Sequence, residues 1–200
     1  MDALIDSCVI IQAAKKTFPS SNDADAFKKL FYLSQSTKFS FSLYRSSINL
    51  EEVLPADSKY DGKAYNFMMT LFEGIKEVDS RSTLGSSPLG KHPLGGINTG
   101  IERKRFIDQF IKASKVGSKS YKNNTNDGRL MYLAYMMGTD YFITTDNRTI
   151  LLRHKSFIKD HGIKALTPNE TYEDLLDIFP EIEYYVEEGK NIFEKSGLNF

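Results

Sequence analysis

Several acidic residues of this sequence stand where a predicted strand ends or a predicted helix begins. They are Asp6, Glu51 or Glu52, Asp127 and Asp146. Carboxylates that converge cannot all stay ionised without cations, and their hard oxygen atoms suit Mg²⁺ or Mn²⁺. Two such ions can activate a water molecule and stabilise the leaving oxygen of a phosphodiester. The pattern therefore indicates metal-dependent phosphodiester chemistry, provided that the fold brings these acids together.

Two of the acids belong to one stretch, residues 126–148. Apolar residues recur there at helical spacing, which predicts a helix with Asn126 as its N-cap and Asp127 in its first turn. Residues 141–144 are typical of a short buried strand, and Asp146 follows its carboxyl end. Ligands bind outside the carboxyl ends of the strands in open α/β sheets. We therefore expect the carboxylates of Asp127 and Asp146 to meet at that crevice.

The other acids follow the first two predicted strands. Asp6 lies inside an apolar run, where a carboxylate is costly unless it is paired or binds a metal. It can also cap the helix that begins there, and the two roles are compatible. Residues 38–45 alternate apolar and polar side chains, which predicts a strand. Glu51 and Glu52 lie in the short helix predicted after it, where one can turn inward or both can be solvated residues favoured by the helix dipole.

The predicted strands and helices alternate along the chain. The fold class is therefore α/β, with three layers in which a largely parallel sheet is flanked by helices. Residues 65–78 are predicted to form a single helix. We predict a main domain over residues 1–178, with a flexible insertion loop rich in Gly, Ser and Pro at residues 80–100. Residues 179–200 are expected to form an acidic C-terminal helix and a tail.

The composition indicates the cellular compartment of the protein and the kind of ligand that it can bind. The 200 residues carry no formal net charge, and the single cysteine, Cys8, excludes an internal disulfide framework and suits a reducing compartment. No apolar run is long enough to span a membrane, and the N-terminus lacks the pattern of a signal peptide. We therefore expect a cytoplasmic protein. Residues 101–122 carry seven basic and two acidic residues, a stretch that can hold phosphates or can be a solvated helix face.

Several of these stretches resemble, in order, the motifs of the PIN-domain nuclease family. ALIDSCVII, residues 3–11, resembles the first motif, in which a strand ends in Asp and a hydroxyl residue follows. SSINLEEVL, residues 46–54, resembles the second motif, a hydroxyl residue before a helix that carries Glu. Residues 126–148 resemble the third and fourth motifs together. GIKALTPNE, residues 162–170, resembles the last strand and the Thr-Pro after it, so the resemblance spans most of residues 1–178.

The resemblance implies a metal-dependent endoribonuclease, often the toxin of a VapBC-type toxin–antitoxin pair. The ligands of Mg²⁺ or Mn²⁺ that it implies are Asp6, Glu52, Asp127 and Asp146. Glu52, rather than Glu51, falls at the position usual in the family. Ser7 and Thr144 are expected to orient carboxylates or contact phosphate. The residues of the basic helix that we expect to bind RNA are Arg103, Lys104 and Arg105.

The expected partners are an RNA substrate, an antitoxin protein and a second copy of the chain. The sequence is longer than is usual for the small toxins of this family. It also adds the loop at residues 80–100 and the acidic C-terminal helix, which could shape an RNA groove or dock a partner. The alternative function is a non-catalytic module that keeps the PIN fold to bind RNA or protein. The four acids argue against this alternative, because a scaffold does not need buried carboxylates.

Overall fold

At the centre of the structure is a parallel β-sheet. The computed structural model describes residues 1–49, 62–78, 99–113 and 121–195. Within these ranges the strands are β1 (Asp2–Ile5), β2 (Ser42–Ser46), β3 (Lys76–Val78), β4 (Tyr141–Ile143) and β5 (Ala165–Leu166). They lie in the order β3-β2-β1-β4-β5, and each neighbouring pair is parallel. The predicted α/β class with a parallel sheet is confirmed.

Helices lie on both faces of this sheet. Those that the structure describes are α1 (Ser7–Lys15), α2 (Ser21–Leu33), α3 (Gly62–Gly74), α4 (Thr99–Ala113), α5 (Tyr121–Met137), α6 (Lys155–Asp160), α7 (Pro168–Ile178) and α8 (Ile182–Lys195). A π-helix, Thr149–Arg153, precedes α6. One face packs against α1, α2, α3, α7 and α8, and the other against α4, α5 and α6. The three predicted layers are therefore present.

Strand β1 is the middle strand, and its side chains contribute to both halves of the core. Ala3, Leu4 and Ile5 are fully buried. Because side chains alternate along a strand, Ala3 and Ile5 join the core on one face of the sheet and Leu4 joins the core on the other. An apolar residue at each of these positions is therefore required by the layers on both sides.

The C-terminal helix α8 packs against α2. Ile182, Val186 and Phe193 are buried in the same core as the first face of the sheet. Gly189 permits the close approach of the two helices, because a Cβ atom at this position would collide with the backbone carbonyl of Tyr32 in α2. Helix α8 therefore shares its hydrophobic core with the sheet.

The strand order places the carboxyl ends of β1 and β4 side by side. The register pairs Ile5 with Ile143, and the N–H of Asp6 donates to the carbonyl of Ile143 at 2.9 Å. Strands β2 and β3 extend the sheet on one side of β1, and β4 and β5 extend it on the other. The chain therefore reverses its direction of winding between β1 and β4, the place where open α/β sheets bind ligands.

Two local predictions are wrong. Helix α5 begins at Tyr121, so Asp127 lies in its second turn and Asn126 is not its N-cap. Residues 121–125 are polar, and apolar periodicity therefore does not reveal the first turn.

Residues 65–78, predicted as a single helix, form most of α3 and then the strand β3, which pairs with β2 at one edge of the sheet. Lys76 and Glu77 are exposed in that strand, so it lacks the apolar pattern that predicts a strand.

Candidate functional site

Asp6 occupies the turn between β1 and α1. Its backbone is at the N-cap position of α1, but its side chain makes no capping hydrogen bond. The carboxylate oxygen Oδ2 instead accepts hydrogen bonds from Thr144 Oγ1 at 2.6 Å and from Cys8 Sγ at 3.0 Å. Asp6 is only 6% exposed, and a buried carboxylate needs such partners. The carboxylate is therefore directed toward the end of β4 and not toward the backbone of α1.

Thr144 connects the two strand ends that carry an acid. It follows β4 and is fully buried. Its hydroxyl donates to Asp6 and accepts the backbone N–H of Asp146 at 3.0 Å. Its own N–H donates to the carbonyl of Leu166 in β5 at 3.0 Å. Because a hydrogen bond to an ionised group is stronger than one between neutral groups, the Thr144 hydroxyl holds the Asp6 carboxylate in place.

Asp146 is half-buried in the turn that follows β4. Its Oδ1 accepts the backbone N–H groups of Arg148 at 3.0 Å and of Thr149 at 2.8 Å, at the start of the π-helix. In the described ranges, no residue donates a hydrogen bond to its other oxygen, Oδ2. Asp146 therefore has one oxygen fixed by the backbone and a second oxygen that can bind a ligand.

Asn49 joins the ends of β1 and β2, and its role was not predicted. It is fully buried. Its Nδ2 donates to the carbonyl of Ile5 at 3.2 Å and to Ser7 Oγ at 2.9 Å, and its Oδ1 accepts the N–H of Ser46 at 2.5 Å. The Ser7 hydroxyl is therefore bonded to Asn49. The signal in the sequence is a polar residue between Ile48 and Leu50, just after a predicted strand.

The thiol of Cys8 lies among the side chains of Asp6, Thr144 and Thr145. Its Sγ lies 3.0 Å from Asp6 Oδ2 and 3.2 Å from Thr145 Oγ1, and it accepts the N–H of Thr145 at 3.4 Å. Burial raises the pKa of the Cys8 thiol, and the nearby Asp6 carboxylate raises it further. The thiol is therefore protonated, and it acts here as a hydrogen-bond donor to the Asp6 carboxylate.

The remaining predicted site residues lie on α4, on α5 or outside the described ranges. Asp127 is half-buried in α5. In the ranges that the structure describes, no group of three His, Cys, Asp or Glu side chains is placed to hold a metal ion, so the structure does not bring Asp6, Asp127 and Asp146 together as one such group. Glu51 and Glu52 lie outside the described residues. The basic residues of α4 are exposed, apart from the first, which is half-buried: Arg103, Lys104 and Arg105.

His154 is a fully buried histidine. The charge of Asp146 affects its pKa, but the two side chains form no hydrogen bond with each other. Its ring stacks on Phe110 of α4, with 3.7 Å between the ring centroids and 10° between the planes. Neither ring nitrogen has a hydrogen-bond partner among the described residues. Burial lowers the pKa of His154 to about 4, although the Asp146 carboxylate acts in the opposite direction; the charge of Arg153 adds to the decrease. His154 is therefore a neutral core residue at pH 7.

Comparison with known proteins does not assign a family to the chain. No protein-family model matches the sequence. No curated protein matches it significantly. Within the described residues, every helix is too short or too polar to cross a membrane. The residues at the ends of β1 and β4 therefore provide the basis for a functional proposal.

The link through Thr144 can be tested by removing its hydroxyl. Thr144→Val should lower the free energy of unfolding by about 1–3 kcal/mol, because it removes one hydrogen-bond donor from the buried Asp6 carboxylate and the acceptor of the Asp146 N–H. Thr144→Ser keeps the hydroxyl and serves as the matched control, with a cost below about 1 kcal/mol. Urea unfolding measures both. Equal stability of the valine variant and the wild type would show that the two hydrogen bonds of the Thr144 hydroxyl do not stabilise the fold.

The buried His154 should make stability depend on pH in mild acid. The pKa is about 4 in the folded protein and 6.5 in an unfolded chain, so between these values the unfolded state binds the extra proton and stability falls as pH falls. The full effect is about 3 kcal/mol. His154→Phe keeps a ring against Phe110 and cannot titrate. We expect its unfolding free energy to exceed that of the wild type increasingly from pH 7 to pH 4.5; parallel curves would contradict this.

Proposed function

We propose that this protein is a divalent-metal-dependent endoribonuclease whose metal site is built around Asp6 and Asp146. The observation that carries the proposal is their placement. The two carboxylates follow neighbouring parallel strands at the point where the sheet reverses its direction of winding, and one buried hydroxyl, that of Thr144, contacts both residues. Two acids at the ligand-binding end of an α/β sheet are the start of a site for a hard cation.

The chemistry of these donors fits Mg²⁺ or Mn²⁺. Asp6 is a buried carboxylate, and Asp146 presents its Oδ2 without a described partner. The resemblance to PIN-domain nucleases assigns Asp127 and Glu52 as further ligands; Glu52 lies outside the described residues, and the structure does not group Asp127 with Asp6 and Asp146. The metal, when bound, supplies Lewis acidity that activates a water molecule and stabilises the leaving oxygen of a phosphodiester. A cation would also offset the repulsion between the carboxylates.

The residues around the acids orient them before any ligand arrives. The Thr144 hydroxyl fixes one oxygen of Asp6, and the N–H groups of Arg148 and Thr149 fix one oxygen of Asp146. Ligands held by surrounding hydrogen bonds bind metals more tightly than mobile ones. The protonated thiol of Cys8 donates to Asp6 and adds no second negative charge to the site.

Helix α4 supports the choice of a nucleic acid as the substrate. Arg103, Lys104 and Arg105 follow one another on this helix, which packs against α5, the helix that carries Asp127. A local group of basic side chains attracts phosphates even on a protein of zero net charge. The resemblance to PIN-domain nucleases specifies RNA. It also brings an antitoxin partner, a second copy of the chain and a cytoplasmic location into the proposal.

The second candidate is a non-catalytic module that uses the same fold to bind RNA or protein. The observation that favours it is that each carboxylate already has protein donors. Asp6 Oδ2 accepts from Thr144 and Cys8, and Asp146 Oδ1 accepts from two backbone N–H groups. Such bonds would also form if the two acids only held β4 and the π-helix against β1. Cleavage of RNA separates the two candidates.

Removal of one carboxylate charge should abolish cleavage. Asp6→Asn and Asp146→Asn should each lower the Mn²⁺-dependent cleavage of a labelled RNA by at least about 100-fold, because loss of a metal ligand costs more than the 10–100-fold typical of the groups that support one. Asp177→Asn changes an exposed acid of α7 by the same chemistry and should leave the rate unchanged. Full activity in both site variants, with the fold verified by circular dichroism, would exclude this site.

A further inference from the structure

A cavity of about 390 Å³ lies between the π-helix, α6 and the edge strand β5 in the described part of the chain. One of its wall residues is Asn147, which follows Asp146 in the sequence. The side chains that form its apolar floor are Ile150, Leu151, Ile158, Ile163 and Leu166. This volume is within the range of pockets that hold small organic ligands, which are lined mainly by apolar groups with few polar ones.

The rim of the cavity is positive on the side of α6. Lys155 and Lys159 are four residues apart on that helix, so both lie on one face of it, and both are exposed. Within the described residues, neither forms an ion pair. A lysine ammonium is a compact charge that binds phosphate. The two lysines therefore provide a place for an anionic group at this end of the cavity.

The other charged residues of the wall are already engaged. Lys164 forms an ion pair with Asp174 at 2.5 Å. Glu170 uses Oε2 to accept the N–H of Thr167 at 2.9 Å, in the capping box of α7. The carboxylate of Glu170 repels an anion from its own side of the cavity. An anionic ligand is therefore directed toward α6, and an uncharged ring toward the apolar floor.

Asn147 connects this cavity to the candidate metal site. It is exposed, and its side-chain amide makes no hydrogen bond with the described residues. An amide both donates and accepts, so it can pair with a polar edge of a ring that rests on the floor. A ligand that contacts Asn147 would thus lie one residue along the chain from Asp146.

We propose that this cavity binds one nucleotide of the substrate, next to the phosphate that is cleaved. The apolar floor contacts the face of the base, Asn147 contacts its edge, and Lys155 and Lys159 bind a phosphate. This assignment rests on the proposed ribonuclease function for its substrate class. Single-stranded RNA is recognised through bases that are splayed out and held in this manner. The cavity would then set which base can lie beside the cleavage position.

The test is calorimetric titration of the full chain with adenosine and uridine 5′-monophosphates, adenosine and inorganic phosphate. We expect a monophosphate to bind more tightly than inorganic phosphate or adenosine, because only the nucleotide uses both the floor and the lysines. The double variant Lys155→Ala/Lys159→Ala should lose at least about tenfold in affinity for the nucleotide. The control Lys63→Ala/Lys195→Ala, which removes two exposed lysines on other helices, should bind like the wild type.

Two results would overturn the assignment: no nucleotide binding by the wild type, or equal affinity in the Lys155→Ala/Lys159→Ala variant. Asp6 does not line the cavity, so Asp6→Asn should bind nucleotides normally while it loses cleavage, which separates the two proposals. If the lysine variant alone loses nucleotide affinity but the wild type cleaves no RNA with Mn²⁺, the nucleotide cavity stands and the ribonuclease proposal falls. If cleavage is found without nucleotide binding, the cavity proposal falls alone.

Discussion

The pairing of β1 with β4 determines where Asp6, Thr144 and Asp146 lie. The two strands are separated by more than 130 residues in sequence, yet their register sets Ile5 beside Ile143. The hydrogen bond from the Asp6 N–H to the Ile143 carbonyl continues this ladder by one residue. A slip by one residue would turn the apolar side chains of β1 to the wrong faces. The same burial that stabilises the sheet therefore sets the spacing of Asp6, Thr144 and Asp146.

A buried carboxylate at this position has an energetic cost that the surrounding residues offset. Asp6 has lost most of its contact with water, and the Thr144 hydroxyl and the Cys8 thiol donate to it in compensation. Asn49 performs a related task at the neighbouring strand end, where it bonds to Ser7 and to the backbone on both sides. A site with this much internal order can bind a rigid, charged ligand with little rearrangement.

Much of the fold could be predicted from the sequence, because long apolar runs and turn residues are local signals. Strands β1 and β4 and the helix that Thr167 begins with a capping box follow from such patterns. The exposed edge strand β3 and the polar first turn of α5 carry no apolar period, so their positions depend on contacts far away in sequence. The placement of Asp6 and Asp146 at strand ends could be anticipated. The bonds of Asn49 and the cavity beside Asn147 depend on distant residues and could not.

Calorimetric titration with Mn²⁺ tests whether Asp6 and Asp146 form a metal site, because it measures metal binding without assuming a substrate. The wild type, Asp146→Asn and the control Asp177→Asn would be titrated in the same buffer. We expect the wild type and Asp177→Asn to bind Mn²⁺ with equal affinity and Asp146→Asn not to bind it measurably. Absence of binding by the wild type, or unchanged binding by Asp146→Asn, would show that these carboxylates do not form a metal site.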